Sequence, residues 1–238
     1  MRLLFKVLLV LGIFTTAAPA FAQDQEIVVT GSRIRGNGYY DSSAPAPSMA
    51  LRRTADFAVQ TVTVTGDTRD PDKRREEIYA LIKGAIDLAG KYGVQLATGD
   101  VVVEQLTLAN YRNLPLAKDD DREDTESTSF LIKVPLTPGT DAKAALDRFA
   151  KFIAAVPSVG RAEIKASEDL SLSVVNPEQY REPIIGLIAA SANAAAAKFG
   201  PGYGVTVEGL QGRVQWSRAS LTEVYLYLPA SFTVVPKD

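Results

Sequence analysis

The chain has no cysteine and no histidine, and these two absences exclude several kinds of chemistry. Without cysteine there is no disulfide, no thiolate metal site and no nucleophilic thiol. Without histidine there is no imidazole ligand, no histidine pH switch, and none of the general base that hydrolases most often use. A G-x-S-x-G nucleophile motif is also absent. The sequence therefore predicts a protein that is not an enzyme, with no catalytic, cofactor-binding or metal-binding residues.

An excess of one charge and long apolar runs are lacking too. The chain has 26 basic and 28 acidic residues, for a net charge of −2, and the signs are interspersed. Such a surface has no general attraction for nucleic acid. Beyond residue 22 no apolar stretch approaches membrane-spanning length. We therefore expect no nucleic-acid partner and no transmembrane segment in the mature chain.

Residues 1–22 have the pattern of a secretory signal peptide. Arg2 and Lys6 form a basic start, residues 7–14 form a short apolar run, and Ala20-Phe21-Ala22 resembles a signal-peptidase site. The apolar run is too short to span a bilayer. The pattern predicts export to the periplasm of a Gram-negative bacterium, with cleavage after Ala22.

Residues 23–54 have the composition of a flexible tether. Scattered glycines, the Ser42-Ser43 pair and the Ala-Pro repeats of residues 44–47 favour extended, unpacked backbone. The folded domain is therefore predicted to occupy residues 55–238.

Within that domain, strand patterns alternate with amphipathic helices, which predicts an α+β fold. The first helix is predicted to begin at Asp70-Pro71-Asp72, where an acidic cap precedes a proline suited to the first turn. A turn at residues 167–169 is predicted to make a β-hairpin, and residues 224–234 are predicted to form one strand.

The first and third helices begin with similar residues. Asp70-Pro71-Asp72 is matched by Asn176-Pro177-Glu178, and the apolar spacing that follows is the same. Two explanations remain open. Any two capped amphipathic helices look alike, or a strand-helix-strand unit has been duplicated into halves of residues 55–136 and 137–238, with antiparallel sheets covered by helices. The side chains of the third helix predicted to face inward are Ile184, Leu187, Ile188 and Ser191.

Three segments resemble the SIMPL family. They are the strand at residues 61–66 with its long helix, the Ala-rich helix leading into residues 204–207, and the closing strand at residues 230–235. SIMPL proteins are secreted or periplasmic α+β proteins with no agreed enzymatic activity. The resemblance covers about residues 57–236. It implies a SIMPL-like fold and a role in envelope stress resistance through protein contacts or oligomerisation.

Residues 26–34 resemble the mature N-terminus of TonB-dependent outer-membrane receptors. The chain is too short to be such a receptor, since a barrel of about 22 strands with a plug needs several hundred residues. The segment is either a chance or inherited likeness, or a strand that adds to the sheet edge of a TonB-type partner. The residues proposed for partner binding in this segment are Glu26, Ile27, Val28, Val29, Thr30 and Gly31.

Other clusters have a structural and a functional explanation. The acidic residues within 118–126 have carboxylate oxygens, which are the ligands that Ca²⁺ takes, but they lack the EF-hand spacing. The favoured interpretation is therefore a loop whose charges are exposed to solvent. Trp216, Tyr225 and Tyr227 are candidates for a partner-binding strip or for core packing. Helix caps and surface ion pairs are favoured over acid-base catalysis for one further group of charged residues: Asp70, Arg75, Glu76, Arg181 and Glu182.

Three functions follow, in decreasing order of support. The first is a non-enzymatic envelope protein that acts through protein-protein contact or self-association. The second is an accessory to TonB-linked uptake that docks through residues 26–34. The third is a periplasmic hydrolase that uses carboxylates or a serine-lysine pair.

Overall fold

The computed structural model describes residues 26–29, 47–99 and 103–237, and for residues 26–29 it describes the backbone alone. The predicted leader, most of the predicted tether, and Thr30 and Gly31 lie outside these ranges. The described chain is a mixed α+β fold with antiparallel sheets and three α-helices, so the predicted fold class is confirmed.

Twelve strands and three helices make up the described fold. The strands are β1 (Glu26–Val29), β2 (Ala50–Thr54), β3 (Phe57–Gly66), β4 (Gln95–Thr98), β5 (Glu104–Gln105), β6 (Ala117–Lys118), β7 (Glu126–Pro135), β8 (Glu163–Val175), β9 (Tyr203–Glu208), β10 (Gln215–Arg218), β11 (Glu223–Tyr227) and β12 (Ser231–Pro236). The helices are α1 (Pro71–Ala89), α2 (Ala142–Ala155) and α3 (Arg181–Ala197), with 3₁₀ turns at Gly90–Tyr92, Tyr111–Asn113 and Pro177–Tyr180.

The strands form three sheets. The largest has the order β1-β8-β3-β7-β4-β5, with β6 added beside β7. The second has the order β10-β11-β2, and β9 and β12 form a two-stranded ribbon. Helices α1 and α2 pack together on the large sheet, whereas α3 lies against β2 and the ribbon. One cluster of buried apolar side chains connects these layers. No helix in the described ranges has the length and apolar character needed to cross a membrane.

Helix α1 starts where its local signals predict. The Asp70 side chain accepts a hydrogen bond from the Lys73 amide at 2.9 Å, and Pro71 is the first helical residue. One face is fully buried because apolar residues recur at three- and four-residue spacing: Ile78, Leu81, Ile82 and Ala85.

The predicted tether extends too far. Its last five residues form β2, which pairs antiparallel with β11. Leu51 lies opposite Leu226 and packs against the core, while Arg52 forms an ion pair with Glu223. Two arginines beside a single partly buried leucine hide the alternation that would otherwise indicate a strand.

The predicted hairpin at residues 167–169 is wrong, because β8 is one continuous strand. Gln60 of β3 pairs with Leu170, but Val62 pairs with Ala166, so residues 167–169 oppose a single residue of β3. The Gln60 side-chain amide donates to the Ser167 carbonyl oxygen at 2.7 Å. The polar residues that suggested a turn therefore form a bulge.

Residues 224–234 are two strands in different sheets, and not one strand. Strand β11 ends at Tyr227, and β12 begins at Ser231 in the ribbon. Pro229 lies between them and has no amide hydrogen for a sheet ladder. The Ala230 amide donates to the Leu228 carbonyl oxygen at 2.7 Å, which closes a tight turn at this point.

Helix α3 buries a narrower face than the spacing of its apolar residues predicts. The fully buried side chains recur every fourth residue, so Leu187 and Ser191 are exposed and their predicted inward orientation is wrong. The buried positions are Ile184, Ile188, Ala192 and Ala196.

The two proposed halves do not have separate sheets. Strand β8, from residues 137–238, pairs directly with β3 from residues 55–136. The similar segments at residues 70 and 176 therefore belong to one interleaved fold, and the second begins with the 3₁₀ turn Pro177–Tyr180 before α3.

Candidate functional site

The most buried charges of the described chain connect the first turn of α1 to the start of β7. The Glu126 side chain is 2% exposed and accepts hydrogen bonds from Arg74 Nε at 3.0 Å and Arg75 Nη2 at 3.1 Å. Arg74 is also buried, and its Nη1 donates to the Thr68 carbonyl oxygen at 2.7 Å. We call these four residues the Glu126 cluster.

The cluster keeps its carboxylate ionised. Burial by itself raises the pKa of the Glu126 carboxyl, but hydrogen bonds from Arg75 and Arg74 and their positive charges outweigh burial. The net result is a pKa below the usual value. A general base or acid needs a pKa moved toward neutrality, so this environment favours a structural role over catalysis.

A second carboxylate lies on the next turn of α1. Glu77 accepts hydrogen bonds from Thr68 Oγ1 at 2.5 Å and from the Arg161 amide at 3.1 Å, and these bonds lower its pKa. Gly160 permits this approach, since a Cβ there would lie 2.2 Å from the Glu77 carboxylate. Glu77 therefore fixes the entry to β8 against α1.

The predicted first-turn charges mostly act as caps and ion pairs. Asp70 caps α1, and Arg75 binds Glu126. Arg181 pairs with Glu178 at 2.7 Å and donates to the carbonyl oxygens of Leu210 and Gly212. The remaining two, Glu76 and Glu182, are exposed.

The acidic segment does not behave as one unit. Residues 119–124 are exposed, as expected for solvated loop charge, but Glu126 is buried at the start of β7. The expectation of solvation is therefore wrong for Glu126, because its side chain faces α1 and its arginines. In the part of the chain that the structure describes, no three acidic side chains are arranged to hold a metal ion.

The three candidate aromatic residues do not form a single strip. Trp216 of β10 lies directly opposite Leu226, so it shares the inward face of that sheet and packs against the core. Tyr225 and Tyr227 lie on the other face and are half-buried. Burial raises the pKa of the Tyr227 hydroxyl. Trp216 therefore contributes to packing, and only the two tyrosines share an outer face.

A different apolar surface lies on α3 and the ribbon. No charged residue occurs from residue 183 to residue 197, and the outward side chains include Leu187, Ala190 and Ala194. At the end of the helix Phe199 is 62% exposed, and its ring lies 5.7 Å from that of Tyr203. We call these five residues the α3 surface.

The outer faces of α1 and α2 differ from the α3 surface. They carry ion pairs between Lys83 and Asp87 at 2.8 Å and between Lys143 and Asp147 at 2.7 Å. Sequence reasoning missed the α3 surface, although fifteen residues without a charge were the signal for it.

The proposed docking segment is a strand of this chain's own large sheet. Backbone residues Glu26–Val29 pair antiparallel with residues 172–175 of β8, from Glu26 opposite Val175 to Val29 opposite Leu172. The predicted extended conformation is therefore present, with the sheet edge supplied by the same chain. Thr30 and Gly31 lie outside the described residues.

No protein family matches the chain, and no curated protein is found as its relative. Two solved structures show weak similarity. An uncharacterised conserved protein from Listeria innocua is 11% identical, with 78% of this chain and 94% of that chain covered and a TM-score of 0.16. A hydrolase from Listeria innocua is 11% identical, with 79% and 94% covered and a TM-score of 0.17. These TM-scores are too low to indicate a shared fold or function.

Proposed function

We propose that this chain is an exported, non-enzymatic protein of the cell envelope that acts through protein-protein contact or self-association. The leader pattern supports export to the periplasm. The resemblance to SIMPL proteins supports a part in envelope stress resistance. The observation that carries the proposal is the α3 surface, which is uncharged where the outer faces of the other two helices carry ion pairs.

The ribbon beside α3 supports the same proposal. A two-stranded sheet is marginal in water unless it packs on another layer. Helix α3 lies against this ribbon, and the more apolar ribbon face remains partly exposed at all four of its large side chains: Val205, Val207, Phe232 and Val234. The outer edges of β9 and β12 pair with no other strand in the described chain. Apolar surface and open edges together are the features of an association surface.

We expect Ala190→Glu on α3 to weaken association by at least about tenfold, because a contact would have to bury an unpaired carboxylate. Ala150→Glu makes the same change at an exposed position of α2 and should leave association unchanged. Sedimentation velocity of the chain from Gln23, with crosslinking in envelope extracts, measures both variants. A monomer that captures no envelope protein, or two variants with equal effects, would contradict the proposal.

The second candidate function is docking to a TonB-type partner, and it is favoured by the strand conformation of Glu26–Val29. Deleting residues 26–34 should abolish binding to the periplasmic domain of TonB, because the strand offered for pairing is removed. The domain should stay folded, with a circular dichroism spectrum that loses only the contribution of β1. Binding that survives the deletion would remove this candidate.

A further inference from the structure

Strand β8 has two halves of different chemical character. In the described chain, residues 163–169 lie beside β3 alone, and this half carries the exposed charges Glu163, Lys165, Glu168 and Asp169. Charged side chains protect an open sheet edge from unwanted pairing. Residues 170–175 have no charged side chain, and Leu172 and Val174 are fully buried. The unprotected stretch begins where the charges stop, and β1 pairs with its last four residues.

Successive residues of this stretch direct their amide and carbonyl groups to opposite edges of the strand. The Asp56 amide donates to the Ser173 carbonyl oxygen at 2.9 Å, and the Val175 amide donates to Asp56 Oδ2 at 2.8 Å. Ser173 and Val175 therefore direct their polar groups toward the start of β3. Because polar groups alternate along a strand, Leu172 and Val174 direct theirs to the opposite edge, where β1 lies.

The register then gives each residue of β1 a separate role. Ile27 lies opposite Val174, and Val29 lies opposite Leu172, so these two direct their amides at β8. Glu26 and Val28 form the intervening pairs, whose amides point away from β8. The importance of each amide can therefore be tested separately.

Arg218 marks the end of the available edge. Leu170 is the next residue of β8 whose carbonyl oxygen points outward, and Arg218 Nη1 already donates to that oxygen at 2.6 Å. Arg218 Nε donates to the Ser220 carbonyl oxygen at 3.0 Å, so the guanidinium is held from two sides. The edge offered to a strand is thus limited to residues 172–175.

We propose that residues 172–175 of β8 form a strand-acceptor site, which β1 fills within the same chain and which also takes β1 from a second copy. Twenty residues connect Val29 to Ala50. They reach at most about 70 Å, well beyond the width of about 40 Å expected for a domain of this size. The strand therefore reaches its own edge or that of a neighbour. Because β1 belongs to the same chain as the edge, its effective concentration there is in the millimolar range, so the closed monomer predominates in dilute solution.

The site is tested with a labelled peptide of residues 23–34 and a chain that begins at residue 35. The peptide should bind the shortened chain saturably, and it should bind the intact chain at least about tenfold more weakly because β1 occupies the edge. Fluorescence anisotropy measures both. No binding to the shortened chain, or equal binding to the two chains, would overturn the proposal.

Two proline peptides test the register. Ile27→Pro removes an amide that points at β8 and should abolish binding, whereas Val28→Pro removes one that points away and should retain it. Equal losses from the two peptides would also overturn the proposal. If the shortened chain fails to fold, the full chain carrying Ile27→Pro has an empty edge and replaces it.

A disulfide across the strand pair tests the exchange between copies. Glu26→Cys with Val175→Cys makes the only disulfide available, because the chain has no cysteine of its own. Opposed residues that are not hydrogen-bonded have Cα atoms about 4.5 Å apart, a separation that a disulfide spans. At about 1 mM of each chain, where a second copy competes with the internal strand, the intact chain mixed with the shortened chain should give a one-to-one complex in sedimentation analysis, and the oxidised disulfide variant should give none. A complex with the oxidised variant, or none with the intact chain, would refute exchange. Every chain in this experiment carries Ala190→Glu, which weakens association through the α3 surface, so a complex reports on strand exchange.

Discussion

Replacing Glu126 by leucine is expected to lower the free energy of unfolding by about 3–5 kcal/mol. Arg74 is 4% exposed and would keep its charge inside the protein with no carboxylate beside it. Arg75 would lose the same partner at a smaller cost, because 47% of its side chain is in water. Urea denaturation of both proteins, followed by circular dichroism, measures the difference.

Two further variants identify the source of this loss. Glu223→Leu breaks the exposed ion pair with Arg52 and should cost less than about 1 kcal/mol. Adding Arg74→Met to Glu126→Leu removes both buried charges and should restore most of the stability. If Glu126→Leu cost no more than Glu223→Leu, the buried charges of the Glu126 cluster would not stabilise the fold more than an exposed ion pair does.

The same carboxylate gives the fold a dependence on pH. The pKa of Glu126 is lower in the folded chain than in the unfolded chain, so its contribution is complete above the unfolded value of about 4.3. That contribution is lost as the pH falls through the folded value. The stability difference between the natural chain and Glu126→Leu should therefore shrink in acid. The pKa of Glu77 is lowered as well, so both chains lose some further stability in acid.

Local signals predicted the elements whose formation depends on local interactions. The cap, the proline and the apolar spacing of α1 all lie within one helix, and each is found where it was expected. The α+β class followed from the alternation of such patterns.

The features that were not predicted depend on contacts between residues that lie far apart in the sequence. Residues 167–169 have turn chemistry, but β3 holds them in line as a bulge. In the sequence, Glu126 looks like one more residue of the acidic loop beside it. Its burial depends on the approach of Arg74, which lies fifty-two positions earlier in the chain. The sequence did not show that β8 has an open edge in the same chain. Residues 26–29 were therefore predicted to pair with a partner protein, and not with the chain's own sheet.

Gly209→Ala is expected to destabilise the fold by at least about 2 kcal/mol. Gly209 has a φ of +83°, which alanine adopts only with strain. A Cβ at this position would lie 2.3 Å from the Pro229 carbonyl oxygen, and that backbone atom cannot rotate away. The turn also presents the Leu210 and Gly212 carbonyl oxygens to Arg181, so a shift here disturbs the start of α3. Thermal unfolding should show a drop in Tm of about 2–4 °C per kcal/mol.

Gly90→Ala is the matched control, with an effect of opposite sign. Gly90 has helical angles of φ −61° and ψ −38°, and a Cβ there would meet no atom within 4 Å. Alanine at such a site restricts the unfolded chain without straining the folded one, so Tm should rise, by the equivalent of about 0.4–1 kcal/mol. If Gly209→Ala left Tm unchanged or raised it as Gly90→Ala does, the left-handed turn at Gly209 would not be needed to join the ribbon to the β10-β11-β2 sheet. Opposite shifts would show that the backbone geometry at Gly209, and not the loss of glycine as such, places the ribbon relative to the β10-β11-β2 sheet.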